Sequence, residues 1–175
     1  MQETAEQYRG RMYGYVGGQS PLKLQAAAPA KLAKLLKGVK PAAAKKRPAP
    51  DRWSIAEIVA HISDTELVSG YRIRAILGQP GTPIIGFDQD AWVRALHYER
   101  RDLSRSYEQY RALREANVAL LKSLAPEQWK HAGMHNERGE ESVQTIVRMM
   151  AGHDLNHFSQ IERILAAKKG KKRQR

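Results

Sequence analysis

The chain of 175 residues contains no cysteine. Disulfide bonds, thiolate metal ligands and a cysteine nucleophile are therefore excluded. Any bound metal ion must be held by histidine or carboxylate side chains, and any thiol in the chemistry must come from a substrate or cofactor. The absence of cysteine also fits the cytoplasm, where we expect the protein to be located.

Long apolar runs are missing as well. No run approaches the roughly 18 residues of a membrane span, and the first residues, MQETAEQYRGRMYG, lack the apolar core of a signal peptide. With 13 glycines and 8 prolines, the chain has too few of either for a fibrous or disordered protein. We expect a soluble, folded protein with no membrane partner.

Three common catalytic motifs are also absent. The sequence contains no phosphate-binding loop of the G-x-x-x-x-G-K-S/T kind, no G-x-S-x-G nucleophile elbow and no H-E-x-x-H. Nucleotide hydrolysis and serine-hydrolase chemistry are therefore not supported.

Helical periodicity dominates what is present. Apolar residues recur at helical spacing, and aromatic residues make up only 7% of the chain. The segments Ser20-Pro21 and Ser54-Ile-Ala-Glu57 are helix-start signals. The pattern predicts a short N-terminal helix and four long helices, over residues 3–16, 21–37, 54–77, 99–124 and 142–167. With no strand signal, we predict an all-α fold, a four-helix bundle with a short extra N-terminal helix.

The segments between these helices are predicted to be irregular. Pro29 should kink or split the second helix. Residues 38–52 contain three prolines and predict an extended, mobile linker, and residues 78–98 and 125–141 predict long loops. We expect a single domain over residues 1–167 and a basic, disordered tail over residues 168–175.

The charge is strongly positive. The formal net charge is +12, and residues 168–175 contribute six of the positive charges. Such a patch can bind nucleic acid or an acidic ligand. No aromatic residue in the tail is available to stack on bases, so we interpret the tail as a solvated extension and expect no nucleic-acid partner. A DNA-associated function remains a lesser hypothesis.

The last helix carries the most informative pattern. On a helical wheel with Ile146 at zero, the apolar residues Val143, Met150, Ile161 and Ile164 lie within about 60°. His153 and His157 fall about 20° to either side of zero, in the middle of this buried face. Polar residues rarely occupy such positions without partners. Because residues i and i+4 are neighbours on a helix, both rings can hold one metal ion, or they can be hydrogen-bonded core histidines.

His61 favours the first interpretation. It follows Trp53-Ser-Ile-Ala-Glu-Ile-Val-Ala and lies at the edge of the apolar stripe of its helix. An adjacent antiparallel helix would bring it to the histidine pair. The alternative is a histidine at the surface or boundary of the bundle.

Three blocks of the sequence resemble the DinB-like superfamily, named for damage-inducible proteins. They are Trp53-Ser-Ile-Ala-Glu57 with His61, Asp64 and Glu66, the segment Ile85-Gly-Phe-Asp-Gln-Asp-Ala-Trp92, and Ala151-Gly-His-Asp-Leu-Asn-His157 with Gln160 and Ile161. The resemblance extends from about Tyr8 to Ala167. It implies a four-helix bundle with a three-histidine metal site, whose ligands match His61, His153 and His157.

The resemblance also implies a chemistry. It suggests a divalent metal ion, zinc or nickel and in some members iron, and related enzymes include thiol S-transferases and isomerases that use a low-molecular-weight thiol. A homodimer is a further expectation. Our leading hypothesis is therefore a metal-dependent enzyme, a thiol S-transferase or hydrolase acting on a small molecule. The alternative is a non-catalytic module that binds metal or a small ligand.

Other polar residues are weaker candidates. Glu57 and Asp64 are the candidate catalytic residues, although capping the helix explains Glu57 more simply. Side chains that could hydrogen-bond to the ligand rings are Asp154, Asn156 and Gln160. His131 and His135 repeat the H-x-x-x-H spacing in a predicted loop, where helical register does not hold. We expect them at the surface or rim, with His135 the closer to the site.

Overall fold

The computed structural model describes residues 3–173, with side chains described up to residue 167. Seven helices, three short strands and two 3-10 turns, at Tyr98–Arg100 and Pro126–Lys130, make up this part of the chain. In chain order the helices and strands are α1 (Ala5–Val16), α2 (Pro21–Leu36), α3 (Pro41–Lys45), α4 (Ile55–Gly78), β1 (Pro83–Ile84), α5 (Gln89–Ala95), α6 (Leu103–Lys122), β2 (Ala132–His135), β3 (Gly139–Ser142) and α7 (Val143–Arg173).

The four long helices form a bundle. Helix α4 packs against α6 and α7, and α2 packs against the same two helices, so the four lie around one apolar core. Helix α1 lies outside this ring, against α7. The predicted four-helix bundle with a short extra N-terminal helix is confirmed.

Local signals fix several helix starts. The Ser54 hydroxyl accepts a hydrogen bond from the Glu57 backbone N–H (3.2 Å), and the Glu57 carboxylate accepts one from the Ser54 N–H (2.7 Å). This reciprocal pair is the predicted capping box, and it satisfies two amides that the first turn of a helix leaves free. At α2, Ser20 is the N-cap and Pro21 is the first helical residue.

The expectation that the chain has no strands is wrong. Strand β2 pairs in parallel with β1 and antiparallel with β3, in the order β1-β2-β3. Each strand has only two to four residues. Such short strands show no alternation of apolar and polar residues, so pairing between distant segments, rather than local sequence, determines them. They lie within the predicted loops 78–98 and 125–141, apart from Ser142 at the end of β3.

Three predicted boundaries also need correction. Helix α2 continues through Pro29, so of the two predicted effects, a kink or a split, the split does not occur. The predicted linker contains α3, whose Ala44 is fully buried, so the linker is not extended throughout. Helix α6 begins only at Leu103, because Asp102 caps it by accepting a hydrogen bond from the Arg105 N–H (2.9 Å).

The ends of the chain leave one expectation open. Among residues 3–173, no helix combines the length and apolar character needed to cross a bilayer. The backbone of α7 continues to Arg173, past the predicted helix end at residue 167 and into the tail that was predicted to be disordered. The side chains of residues 168–175 lie outside the described part of the chain, and the role of this basic segment stays a prediction.

Candidate metal centre

The three histidines come from two adjacent antiparallel helices. His61 lies on α4, and His153 and His157 lie on α7. Further along α4, Ile76 belongs to the same apolar cluster as Val143 near the start of α7. The two helices therefore run in opposite directions, which brings residue 61 to the later pair.

The three rings converge on one point. The Nε2 atom of His153 lies 3.0 Å from Nε2 of His61 and 3.1 Å from Nε2 of His157. The side chains are only 2%, 4% and 6% exposed for His61, His153 and His157. Ligands held about 2.0–2.1 Å from a tetrahedral zinc ion are roughly 3.3 Å apart. The spacing of the nitrogens is thus close to that of ligands sharing one ion.

Hydrogen bonding between the rings cannot account for this arrangement. An imidazole nitrogen carries either one proton or one lone pair in the ring plane. Nε2 of His153 contacts two other ring nitrogens, so it can complete one linear hydrogen bond and must leave the other nitrogen unsatisfied. A single cation, in contrast, would accept all three lone pairs. The donor set therefore fits a metal ion better than it fits three stacked core histidines.

Burial keeps the rings in the form that binds metal. It lowers the pKa of His157 to about 4, despite the opposing hydrogen bond with Gln160. Burial, followed by the charge of His157, also holds the pKa values of His61 and His153 well below 6.5. All three rings are consequently neutral at pH 7, as coordination through a ring nitrogen requires.

Gln160 orients one of the three histidine rings. Its side-chain oxygen lies 3.0 Å from Nδ1 of His157. Because an amide oxygen accepts, Nδ1 must carry the proton, which leaves the lone pair of Nε2 facing the other two rings. Asp154 and Asn156 were also candidates for this role, but they bind elsewhere: Asp154 contacts Arg114, and Asn156 accepts from Arg11.

Trp53 forms a wall that sequence reasoning did not identify. Its ring centroid lies 4.9 Å from that of His61 and 6.3 Å from that of His157, with an angle of 9° between the latter two planes. Trp53 directly precedes the N-cap Ser54, where an apolar residue commonly packs back onto the first turns of a helix. The place of Trp53 directly before the N-cap was the feature of the sequence that could have identified it.

A cavity opens beside the cluster. Its volume is about 620 Å³, which is the size of a site for a small organic molecule. Of the three histidines, His157 lines it. Aromatic and cationic side chains contribute much of the remaining surface, among them Tyr8, Arg11, Trp53 and Arg163.

The two weak catalytic candidates are both engaged in other contacts. The carboxylate of Glu57 accepts from Arg47 as well as from Ser54, and these bonds outweigh burial and lower its pKa. Asp64 accepts from the Tyr98 hydroxyl and from Arg101, each at 2.8 Å and each on a different oxygen. These contacts tie Glu57 to the start of α4 and Asp64 to the segment before α6.

The second pair of histidines lies apart from the cluster. His131 ends a 3-10 turn and is half-buried, and His135 lies on β2 and is 2% exposed. Nδ1 of His135 accepts from the Glu137 N–H at 3.1 Å. Within the described residues, the group able to hold a metal consists of His61, His153 and His157, so the strand does not bring His135 into it.

A four-helix bundle with three buried histidines on two of its helices defines a class of metal-binding bundle proteins. Residues 25–161 match the sequence model of the DinB superfamily. This match covers well over half of the chain, and the protein belongs to that superfamily, as its three sequence blocks predict.

Relatives with assigned names are similar over about two thirds of their length. A protein of Oceanobacillus iheyensis, named as a candidate metal-dependent hydrolase, is 28% identical over 119 residues, which are 67% of this chain and 68% of the relative. YfiT of Bacillus subtilis has the same kind of name and is 24% identical over 110 residues, 62% of each chain.

The fold is also that of a solved structure. The YfiT structure superimposes with a TM-score of 0.75, over 93% of this chain and 90% of YfiT, at 18% sequence identity. It is described as a candidate metal-dependent hydrolase with an unusual four-helix bundle topology. At this identity the likeness supports the fold alone.

Proposed function

We propose that the protein binds one divalent metal ion through His61, His153 and His157 and hydrolyses a small molecule that enters the cavity beside His157. The observation that carries the proposal is the convergence of three Nε2 atoms that hydrogen bonds between the rings cannot satisfy. When bound, a divalent ion with three protein ligands has open positions and supplies Lewis acidity and a water of lowered pKa.

The residues around the cluster support this use. Gln160 holds the ring of His157 in one tautomer, and Trp53 covers the rings of His61 and His157 on one side. Three neutral imidazoles suit zinc, nickel or iron, and we propose zinc or nickel.

Hydrolysis is the better supported of the two reactions considered. It requires only water, and three relatives are named as candidate metal-dependent hydrolases. Thiol transfer, which the family resemblance also implies, would need a low-molecular-weight thiol as cofactor because the chain has no cysteine. The homodimer and the cytoplasmic location stay predictions.

Metal analysis of purified variants tests the site. We expect about one ion per wild-type chain and loss of most of it in each of His61→Ala, His153→Ala and His157→Ala. His131→Ala is a matched control, because it removes a histidine of the same H-x-x-x-H spacing outside the cluster, and it should keep its metal. Circular dichroism confirms folding. Wild-type metal content in a folded cluster variant would refute the assigned ligands.

Turnover separates the remaining alternatives. Metal-loaded protein is assayed on ester, amide and thiol-acceptor substrates, with and without added thiol, beside His153→Ala. Metal-dependent turnover without thiol is the expected result. Turnover only with thiol would replace hydrolysis by thiol transfer, and inactivity throughout would favour a ligand-binding module.

A further inference from the structure

A charged network lies inside the bundle. Arg114 of α6 has no exposed surface, and its two partners, Glu66 of α4 and Asp154 of α7, are 3% and 2% exposed. One guanidinium nitrogen donates to Glu66 at 2.6 Å and the other donates to Asp154 at 2.5 Å. A single side chain thereby joins three helices.

Neighbouring side chains extend this network. The Tyr110 hydroxyl donates to the Asp154 carboxylate at 3.2 Å, and the Asn117 amide donates to the Glu66 carboxylate at 2.7 Å. The amide oxygen of Asn117 accepts from Arg74 at 2.6 Å. Each of these contacts crosses from one helix to another, so the network resists sliding between helices.

The energetics indicate that stability alone does not explain the network. Removing three charged groups from water costs several kcal/mol per ion, and apolar replacements of buried ion pairs are often as stable. What an arginine provides in addition is direction, because its planar fork fixes the angle and distance of two carboxylates at once. Apolar contacts between helices allow small shifts that this fork does not.

The two carboxylates lie beside the metal ligands in the sequence. Asp154 directly follows His153, and Glu66 lies just over one turn after His61 on α4. Because the ligands come from α4 and α7, the relative position of these two helices sets the distances between the three Nε2 atoms. A shift of about 0.5 Å is enough to degrade such a site.

We propose that Arg114 is a positioning residue for the metal centre: it fixes α4 against α7 through Glu66 and Asp154 and so holds His61 in reach of His153 and His157. The inference rests on the proposed three-histidine site. It assigns no contact between Arg114 and the metal or the substrate.

Co²⁺ binding tests the inference, because the absorption spectrum of Co²⁺ reports the geometry of its ligands. Arg114→Met removes the fork while filling a similar volume, and we expect Co²⁺ affinity to fall about tenfold, with a changed absorption spectrum. Arg114→Lys keeps the charge without the fork and should be intermediate. If Arg114→Met does not fold, Arg114→Lys alone tests the inference.

Leu121→Ala is the matched control for lost stability. Leu121 lies on the same helix, is 1% exposed and packs in an apolar cluster that contains none of the histidines. This variant should be destabilised yet bind Co²⁺ with wild-type affinity and spectrum. Wild-type affinity and spectrum in a folded Arg114 variant would overturn the inference alone. Failure of the wild-type protein to bind Co²⁺ would instead overturn the proposed metal site and the inference with it.

Discussion

At Gly152, the backbone of α1 lies in close contact with α7. A β-carbon at this position would lie 2.0 Å from the carbonyl oxygen of Met12 and 2.6 Å from its carbonyl carbon. Both are backbone atoms, so no rotation of a side chain can relieve the contact. In Gly152→Ala, α1 must therefore move away from α7.

The size of the effect follows from two opposing terms. Restoring an ordinary contact of 3.4 Å requires a shift of roughly 1.4 Å, the difference from 2.0 Å. Alanine gains up to about 1 kcal/mol over glycine in a helix interior, whereas overpacking costs about 1–3 kcal/mol. Because a whole helix has to move, the cost of overpacking should exceed the gain in helix propensity. We expect the free energy of unfolding to fall by about 1–2 kcal/mol.

The same shift should alter the cavity. Arg11 of α1 donates to the side-chain oxygen of Asn156 at 3.1 Å, and both residues line the cavity beside His157. A displacement of more than 1 Å breaks this hydrogen bond. The proposed metal ligands lie on α4 and α7, so we expect metal content to remain at the wild-type level while substrate binding weakens.

Urea unfolding measures the stability change, with Gly14→Ala as the matched control. A β-carbon at Gly14, on α1, meets nothing within 4 Å, so this variant should gain up to about 1 kcal/mol from helix propensity. Hydrogen exchange in Gly152→Ala should be faster in α1 than in α4. A Gly152→Ala protein at least as stable as Gly14→Ala would show that α1 does not pack on α7 as closely as described.

Two further predictions concern the histidine cluster. Burial places the pKa of His157 in the folded protein at about 4, below the unfolded value of 6.5. The free energy of unfolding of the metal-free protein should therefore be highest above pH 6.5 and decrease as the pH falls toward 4. This difference in the pKa of His157 changes the free energy of unfolding by about 3 kcal/mol. In His157→Gln, the free energy of unfolding measured in urea should therefore depend less on pH between 7.5 and 4.5 than in the wild-type protein. An equal pH dependence would contradict this. Gln160→Ala removes the acceptor at Nδ1 of His157 and should weaken Zn²⁺ binding about tenfold in a competition titration. Glu162→Ala, an exposed change on the same helix, should leave Zn²⁺ binding unchanged. Equal Zn²⁺ affinities in the two variants would show that Gln160 does not orient the ring.

Helix starts and the bundle could be predicted because their determinants are local. The capping box at Ser54 and Glu57 and the Ser20-Pro21 start each act within one turn of helix, so a short window of sequence contains the whole signal. The strands could not be found in this way. Strand β2 pairs with β1 about fifty residues earlier, and β2 contains no β-branched residue and no Phe, Tyr or Trp of the kind typical of strands. Local signals were limited to turn glycines such as Gly139, which adopts a φ of 75° where the turn enters β3.

The histidine cluster was predictable for an energetic reason. Histidines at i and i+4 in the centre of an apolar face require a partner, and His61 was the residue able to supply the third nitrogen. Its complete burial was less predictable. The wheel places it at the edge of the apolar stripe, but every residue of α4 from Ile55 to Glu66 is buried. Among the elements that pack against α4, besides the bundle helices, are α3, α5 and the turn at Tyr98–Arg100.

Arg114 could not be found from the pattern of its own helix. Leu113 and Leu120 are the apolar residues on either side of Arg114 that helical spacing favours for the core, yet both are only half-buried, whereas Arg114 is fully buried. An arginine is ordinarily assigned to the surface, and only the two carboxylates supplied by other helices make its burial favourable. The signal therefore lay on α4 and α7, where Glu66 and Asp154 occupy buried positions that require a cation opposite them.

The bundle thus contains two adjacent polar groups with different requirements. The Arg114 network has its charges paired from within the chain, so α4 and α7 can reach their native positions before any ion binds. The histidine cluster has lone pairs that the chain itself does not satisfy. An ion entering the cluster would meet ligands already close together, and little of its binding free energy would be needed to order the chain. We therefore expect this protein, unlike small domains that fold only when metal binds, to fold without its ion, as the proposed centre with open positions for a substrate requires.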